Sequence, residues 1–78
     1  MKLIKVCGMR NAENIRAVEQ AGPDWMGFIF YEPSPRYVAE MPAYMPQQCK
    51  RVGVFVHPQF RDVVEKVKAF GLQVVQFH

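Results

Sequence analysis

Lys5-Val6-Cys7-Gly8-Met9 is the stretch on which the fold turns. A short apolar run, Leu3 to Cys7, stops there on a thiol and a glycine, and a helix start follows at once. Asn11 is a good N-cap, and Glu13 suits the positive end of a helix dipole. Where a strand runs directly into a helix, its last residue sits at the mouth of a parallel sheet or barrel, where such folds place their chemistry. Cys7 is therefore the first candidate for an acid–base group.

Outward from this stretch, the pattern repeats. Ala12, Ile15, Val18 and Ala21 recur at helical spacing, and Gly22-Pro23 ends that helix. Trp25 to Tyr31 is a second strand, apolar on both faces as in a buried parallel sheet. Glu32-Pro33-Ser34-Pro35-Arg36 is a loop, because two prolines remove donors and hold Ser34 extended. Between Tyr37 and Gln48, Pro42 and Pro46 permit only short helical turns. Lys50 to Val56 is a third strand, and His57-Pro58 turns out of it. Pro58 opens a helix to Phe70, whose stripe of Phe60, Val63, Val64, Val67 and Phe70 is assigned to the core. Gly71 caps it, and Leu72 to Phe77 is a fourth strand. The strand starts are roughly 20 to 26 residues apart, a repeated strand–helix unit. The expected fold is α/β: βαβαβαβ with four parallel strands, read as half of a β/α barrel. Neither GxGxxG nor GxxxxGK[ST] occurs, which disfavours nucleotide binding.

Composition narrows the function classes. The 78 residues are half hydrophobic and carry a net charge of +3. That is a globular composition, and the charge suits a small anionic substrate. The cations, Lys2 among them, are scattered and not interleaved with aromatics, so nucleic acid is not an expected partner. No apolar run reaches the ~18 residues of a membrane span, and no signal peptide is evident; the expected location is cytoplasmic. Cys7 and Cys49 have no CxxC spacing and no zinc partner. They fall at opposite ends of their strands, roughly 15 Å apart for five-residue strands, so both are expected as free thiols.

Five pieces in register carry a family resemblance. They are Lys5-Val6-Cys7-Gly8-Met9, Gly27-Phe28-Ile29-Phe30, Ser34-Pro35-Arg36-Tyr37-Val38, Val52-Gly53-Val54-Phe55-Val56 and Val75-Gln76-Phe77-His78. Together they resemble the N-terminal part of the phosphoribosylanthranilate isomerase family of tryptophan biosynthesis. That resemblance implies that residues 1–78 are the N-terminal half of a (β/α)8 barrel domain, a fragment ending after the fourth strand. It implies an Amadori rearrangement of N-(5-phosphoribosyl)anthranilate, an aminoaldose, to the corresponding aminoketose. An acid opens the ribose ring at its oxygen, and a base removes the proton from the second sugar carbon. The family's base maps onto Cys7, and the arginine that contacts the anthranilate carboxylate maps onto Arg36. His78 is carried as a further substrate-binding residue. The aspartate acid and the phosphate-binding loops belong to later strands, so the polypeptide alone is expected to be inactive. No metal or organic cofactor is implied; the implied partner is a small phosphosugar.

Parity adds a further expectation. Lys5 with Cys7, and Gln76 with His78, each share one side of a strand and suggest a polar interior lining. His57 reads as a turn residue, and Cys49 as structural or incidental. Two alternatives stand beside the isomerase: a self-associating half-barrel that pairs its open sheet edges, and a stand-alone phosphate or carboxylate binder.

Overall fold

The structure, a computed structural model, describes residues 3–78; Lys2, one of the scattered cations, lies outside them. Four parallel strands form one sheet in the order β1-β2-β3-β4. They are β1 (Lys5–Cys7), β2 (Trp25–Ile29), β3 (Lys50–Phe55) and β4 (Val74–Phe77). Helix α1 (Ala12–Gln20) crosses from β1 to β2, and α2 (Phe60–Phe70) crosses from β3 to β4. The local signals at the helix ends act as their chemistry requires. Asn11 accepts from the N–H groups of Glu13 and Asn14 at 2.9 and 3.3 Å. Gly71 takes the left-handed conformation, φ 63°, that ends α2.

The expected βαβαβαβ order needs one correction. No helix joins β2 to β3 among the described residues; the crossover is turns and irregular chain. Pro33, Pro35, Pro42 and Pro46 leave no stretch long enough for an uninterrupted hydrogen-bond ladder. Side-chain anchoring replaces it. The Glu19 carboxylate on α1 accepts from the Tyr44 hydroxyl and from the N–H groups of Gln47 and Gln48, the latter two at 2.6 and 2.7 Å. The Arg16 guanidinium lies over the Tyr44 ring, 4.8 Å from its centroid. Arg51 then ties the end of the crossover to α2, donating to the carbonyls of Pro46 (2.8 Å) and Phe70 (2.9 Å).

This anchoring makes stability depend on pH. The Tyr44 hydroxyl is the main cause holding the Glu19 carboxyl below its ordinary range; the two N–H groups and Arg51 add to it, against the cost of burial. A depressed folded-state value means that the contribution is present above the ordinary carboxylate range and is lost as pH falls through the folded value. Glu19→Ala is therefore expected to lower the denaturation midpoint at neutral pH by the equivalent of about 1 kcal/mol, below the usual worth of bonds to a charged group because solvent screens this carboxylate. The gap from the wild type should close in acid. An equal gap at pH 7 and pH 3 would refute the role of the carboxylate.

Strand alternation divides the sheet into two faces. On the helix-covered face, Met26, Phe28 and Phe55 join Ile15, Phe70 and Leu72 in the core, with Val38 and Met45 from the crossover. Phe30 stacks on Phe55 (centroids 5.2 Å apart) and meets Phe70 edge-on (4.9 Å). Two expected core residues are not there: Val64 lies outside the core cluster, and Phe60 is 83% exposed in the first turn of α2, at the margin of the sheet beside Val75 and Phe77. Pro58 also differs from expectation: α2 begins two residues later with Gln59 as its N-cap, and Pro58 belongs to the turn. His57 is a turn residue as expected, with φ 44°.

The other face carries Lys5, Cys7, Gly27, Val52, Val54 and Gln76 at matching register. Lys5 on β1 donates its ammonium hydrogen to Gln76 on β4, although β2 and β3 lie between them. A flat sheet would hold first and fourth strands roughly 14 Å apart. Two long side chains meeting above β2 and β3 fit a sheet curled toward that face, as in a barrel wall. Lys5 and Cys7 do share one side of β1, and Gln76 lies on the same face of the sheet, with the apolar Val52 and Val54 between them.

Candidate active site

The site is built at the ends of β1 and β2. Cys7 is paired with Gly27 across the sheet. The Gly27 carbonyl then accepts from the N–H groups of both Gly8 and Met9, at 3.0 and 3.2 Å, and so fixes the strand-to-helix turn. A side chain on Gly27 would meet the Cys7 sulfur at 2.8 Å, so the bare glycine makes room for the thiol. Cys7 is half-buried there.

Arg36 reaches this thiol from a separate loop. After β2, the chain turns out and comes back, with the Val38 N–H donating to the Ile29 carbonyl at 2.9 Å. Within the excursion, the Ser34 hydroxyl accepts from the Arg36 N–H at 3.1 Å, and the Ser34 carbonyl from the Tyr37 N–H at 3.1 Å. This compact turn aims Arg36 over Gly8. A Cβ on Gly8 would lie 2.6 Å from Arg36 Cδ and push the arginine aside, and φ 85° at Gly8 demands glycine of the backbone. The stem of Arg36 lies against Gly8, the residue after the end of β1. The result is a cleft of about 460 Å³ lined by Cys7, Gly8, Arg10, Asn14 and Arg36, among others. The N-terminus of α1 opens onto it and favours negative charge there.

Two of the three candidate residues, Cys7 and Arg36, thus share one cleft. His78 does not line it. Its N–H extends the β3–β4 ladder to the Phe55 carbonyl at 2.9 Å, and the residue is exposed beyond the end of β4. Gly8 and Gly27 as spacers, and Arg10 and Asn14 as lining, did not emerge as site residues from the sequence. A glycine inside an apolar strand signals close approach, and Gly27 carried that signal. Arg10 and Asn14 carried none, since a turn arginine and a first-turn asparagine are ordinary surface residues. Cys7 and Cys49 are both free thiols, as expected. Burial chiefly, and Glu19 second, push the Cys49 thiol up, which leaves it protonated and inert. Among the described residues, no group of three His, Cys, Asp or Glu is placed to hold a metal ion. No helix there is long and apolar enough to cross a membrane.

A four-stranded parallel sheet curled this way has the architecture of part of a (β/α)8 barrel, and Cys7 and Arg36 stand at the strand ends, where such barrels place their chemistry. Comparison with known proteins sharpens this. The chain belongs to the N-(5'phosphoribosyl)anthranilate (PRA) isomerase family, whose model matches residues 4–78. It is 57% identical over 76 residues to the N-(5'-phosphoribosyl)anthranilate isomerase of Phocaeicola vulgatus, which covers 97% of this chain and 37% of that protein. The corresponding protein of Parabacteroides distasonis is 42% identical over 84 residues, with the same two shares. A crystal structure of phosphoribosyl anthranilate isomerase in complex with reduced 1-(o-carboxyphenylamino)-1-deoxyribulose 5-phosphate superimposes with a TM-score of 0.88 at 31% identity. It covers all of this chain and 43% of that one. The chain therefore spans less than half the length of these relatives.

Proposed function

We propose that this chain supplies the base and the carboxylate clamp of a phosphoribosylanthranilate isomerase, as the N-terminal half of its barrel domain. The observation that carries this reading is the shared cleft: Arg36 seated on Gly8 beside Cys7, which is seated against Gly27. The substrate, an aminoaldose phosphate, presents a carboxylate on its aromatic ring. A guanidinium fork matches that group and orients it. The second sugar carbon then lies toward Cys7, whose thiolate takes its proton as the ring-opened imine becomes the enolamine. Protonation of the ring oxygen and capture of the phosphate fall to residues of later strands, and His78 sits on the rim that faces them. This chemistry belongs to tryptophan biosynthesis and to the cytoplasm.

Arg36→Ala tests the clamp. In a complete barrel carrying this segment, KM for the aminoaldose is expected to rise about 10- to 100-fold, the value of a charge-assisted pair, with a smaller effect on kcat. An unchanged KM would remove Arg36 from the site.

A second reading is favoured by one feature. Phe60 and Phe77 (83% and 62% exposed) border an apolar cleft of about 440 Å³ with Val63 and Val75 on the outer face of α2 and β4. On its own, the polypeptide has this face and two strand edges with which to self-associate. Sedimentation across a concentration series should show dimers; a monomer at the highest concentration would exclude this reading.

A further inference from the structure

We propose that Arg10 is a second cation of the carboxylate site, so that the substrate's anion is held by an arginine pair, Arg10 and Arg36, and not by one guanidinium. This deepens the function proposed above and rests on it.

The charge distribution of the clefts singles this one out. The largest of four clefts, about 560 Å³ between the β2 loop and α2, sets Glu32, Asp62 and Glu65 among its cations. The cleft at the opposite rim is lined by Lys50 and Asp24 together. The apolar cleft beside α2 has no charge. Only the Cys7 cleft, among these four, is lined by cations without an acid: Arg10 and Arg36. Other arginines are engaged elsewhere. Arg51 is bound to two carbonyls, and Arg16 lies on Tyr44. Arg10 and Arg36 have no side-chain hydrogen bond or ion pair among the described residues, so both forks are available to a ligand. Their placement differs in origin. Arg36 arrives on the Ser34 turn, while Arg10 follows Met9 in the strand-to-helix connection fixed by the Gly27 carbonyl. Two independent backbone anchors thus bring like charges to one cleft. Without an anion between them that arrangement is repulsive; with one it is favourable. Asn14, on the first turn of α1, adds a neutral amide to the same wall.

The chemistry of the substrate says which anion belongs here. The carbon that loses its proton is next to the carbon bearing the anilino nitrogen. The phosphate is on the fifth carbon, at the far end of the sugar. A base at Cys7 therefore has the aromatic carboxylate for its neighbour, and the phosphate is directed away from this cleft.

Charge-selective alkylation tests the pair directly. In the Cys49→Ser polypeptide, Cys7 is the remaining thiol. Iodoacetate and iodoacetamide present the same carbon to it, with and without a carboxylate, and in both the sulfur displaces iodide. At low salt, Arg10→Ala is expected to lower the iodoacetate-to-iodoacetamide rate ratio about threefold, the effect of one unit charge several ångströms away through water. Salt should shrink the difference, and Arg10→Lys should retain most of it. Circular dichroism reports retained folding, which the exposed position of Arg10 permits. An unchanged ratio in Arg10→Ala overturns the inference. If the ratio falls in Arg36→Ala alone, the clamp stands and Arg10 is removed from it; if it falls in neither variant, the functional reading fails as well. Protection of Cys7 by added anthranilate but not by inorganic phosphate supports the carboxylate assignment, and equal protection by both overturns it.

Discussion

Phe55→Ala is expected to cost about 3–5 kcal/mol, enough to unfold much of the population of this chain. Phe55 is 2% exposed and sits at the last position of β3. Its ring stacks on Phe30 and leans on Phe77, with centroids 5.2 and 6.3 Å away. Truncation removes the transfer energy of a buried aromatic, leaves a cavity and breaks both ring contacts, each contact worth about 0.5–1.5 kcal/mol beyond area. At roughly 0.05–0.15 kcal/mol per residue, a domain of this size has about 4–12 kcal/mol to lose, and small domains lie toward the low end. Urea titration monitored by circular dichroism should show the loss. Phe60→Ala is the matched control. At concentrations where the chain is monomeric it should shift stability by no more than about 0.5 kcal/mol, since the ring lies in solvent. Equal effects for the two would contradict the assignment of the core.

The contrast between these two phenylalanines also shows how far the sequence reaches. Phe60 lies on the helical stripe that periodicity assigned to the core, and Phe55 in an apolar strand run. A helical stripe specifies a direction around the helix axis but not where the helix begins relative to its sheet. The strands are different: Val52-Gly53-Val54-Phe55 and Trp25 to Ile29 are buried nearly throughout, as uninterrupted apolar runs require. The central crossover was legible only as a place where prolines forbid a long helix. What orders it is the carboxylate of Glu19, some twenty-five residues earlier, meeting Tyr44, Gln47 and Gln48. No local pattern announces a bond of that separation. The site divides in the same way. Cys7 was visible as a strand-end thiol, and Arg36 through the Ser-Pro-Arg motif of a resembling family. That Gly8 and Gly27 are the surfaces on which the two side chains rest follows from register, which sequence leaves open until strands are paired.

Cys7 carries the central claim. Its sulfur has a glycine beside it, a helix start behind it and a guanidinium across the cleft. Serine in its place keeps the size and hydrogen-bonding of the group but offers no basic form at neutral pH. A positioned general base contributes about 10²- to 10⁴-fold to rate. The loss should fall on kcat, because Arg36 and the rest of the cleft still hold the ground state. Arg36→Ala predicts the opposite division, with KM carrying the effect.

The decisive measurement is the steady-state kinetics of Cys7→Ser in a complete barrel carrying this segment, with N-(5-phosphoribosyl)anthranilate as substrate. The expected result is a fall in kcat of at least about 100-fold with KM within a few-fold of the parent. Near-normal turnover would contradict the assignment of Cys7 as the base.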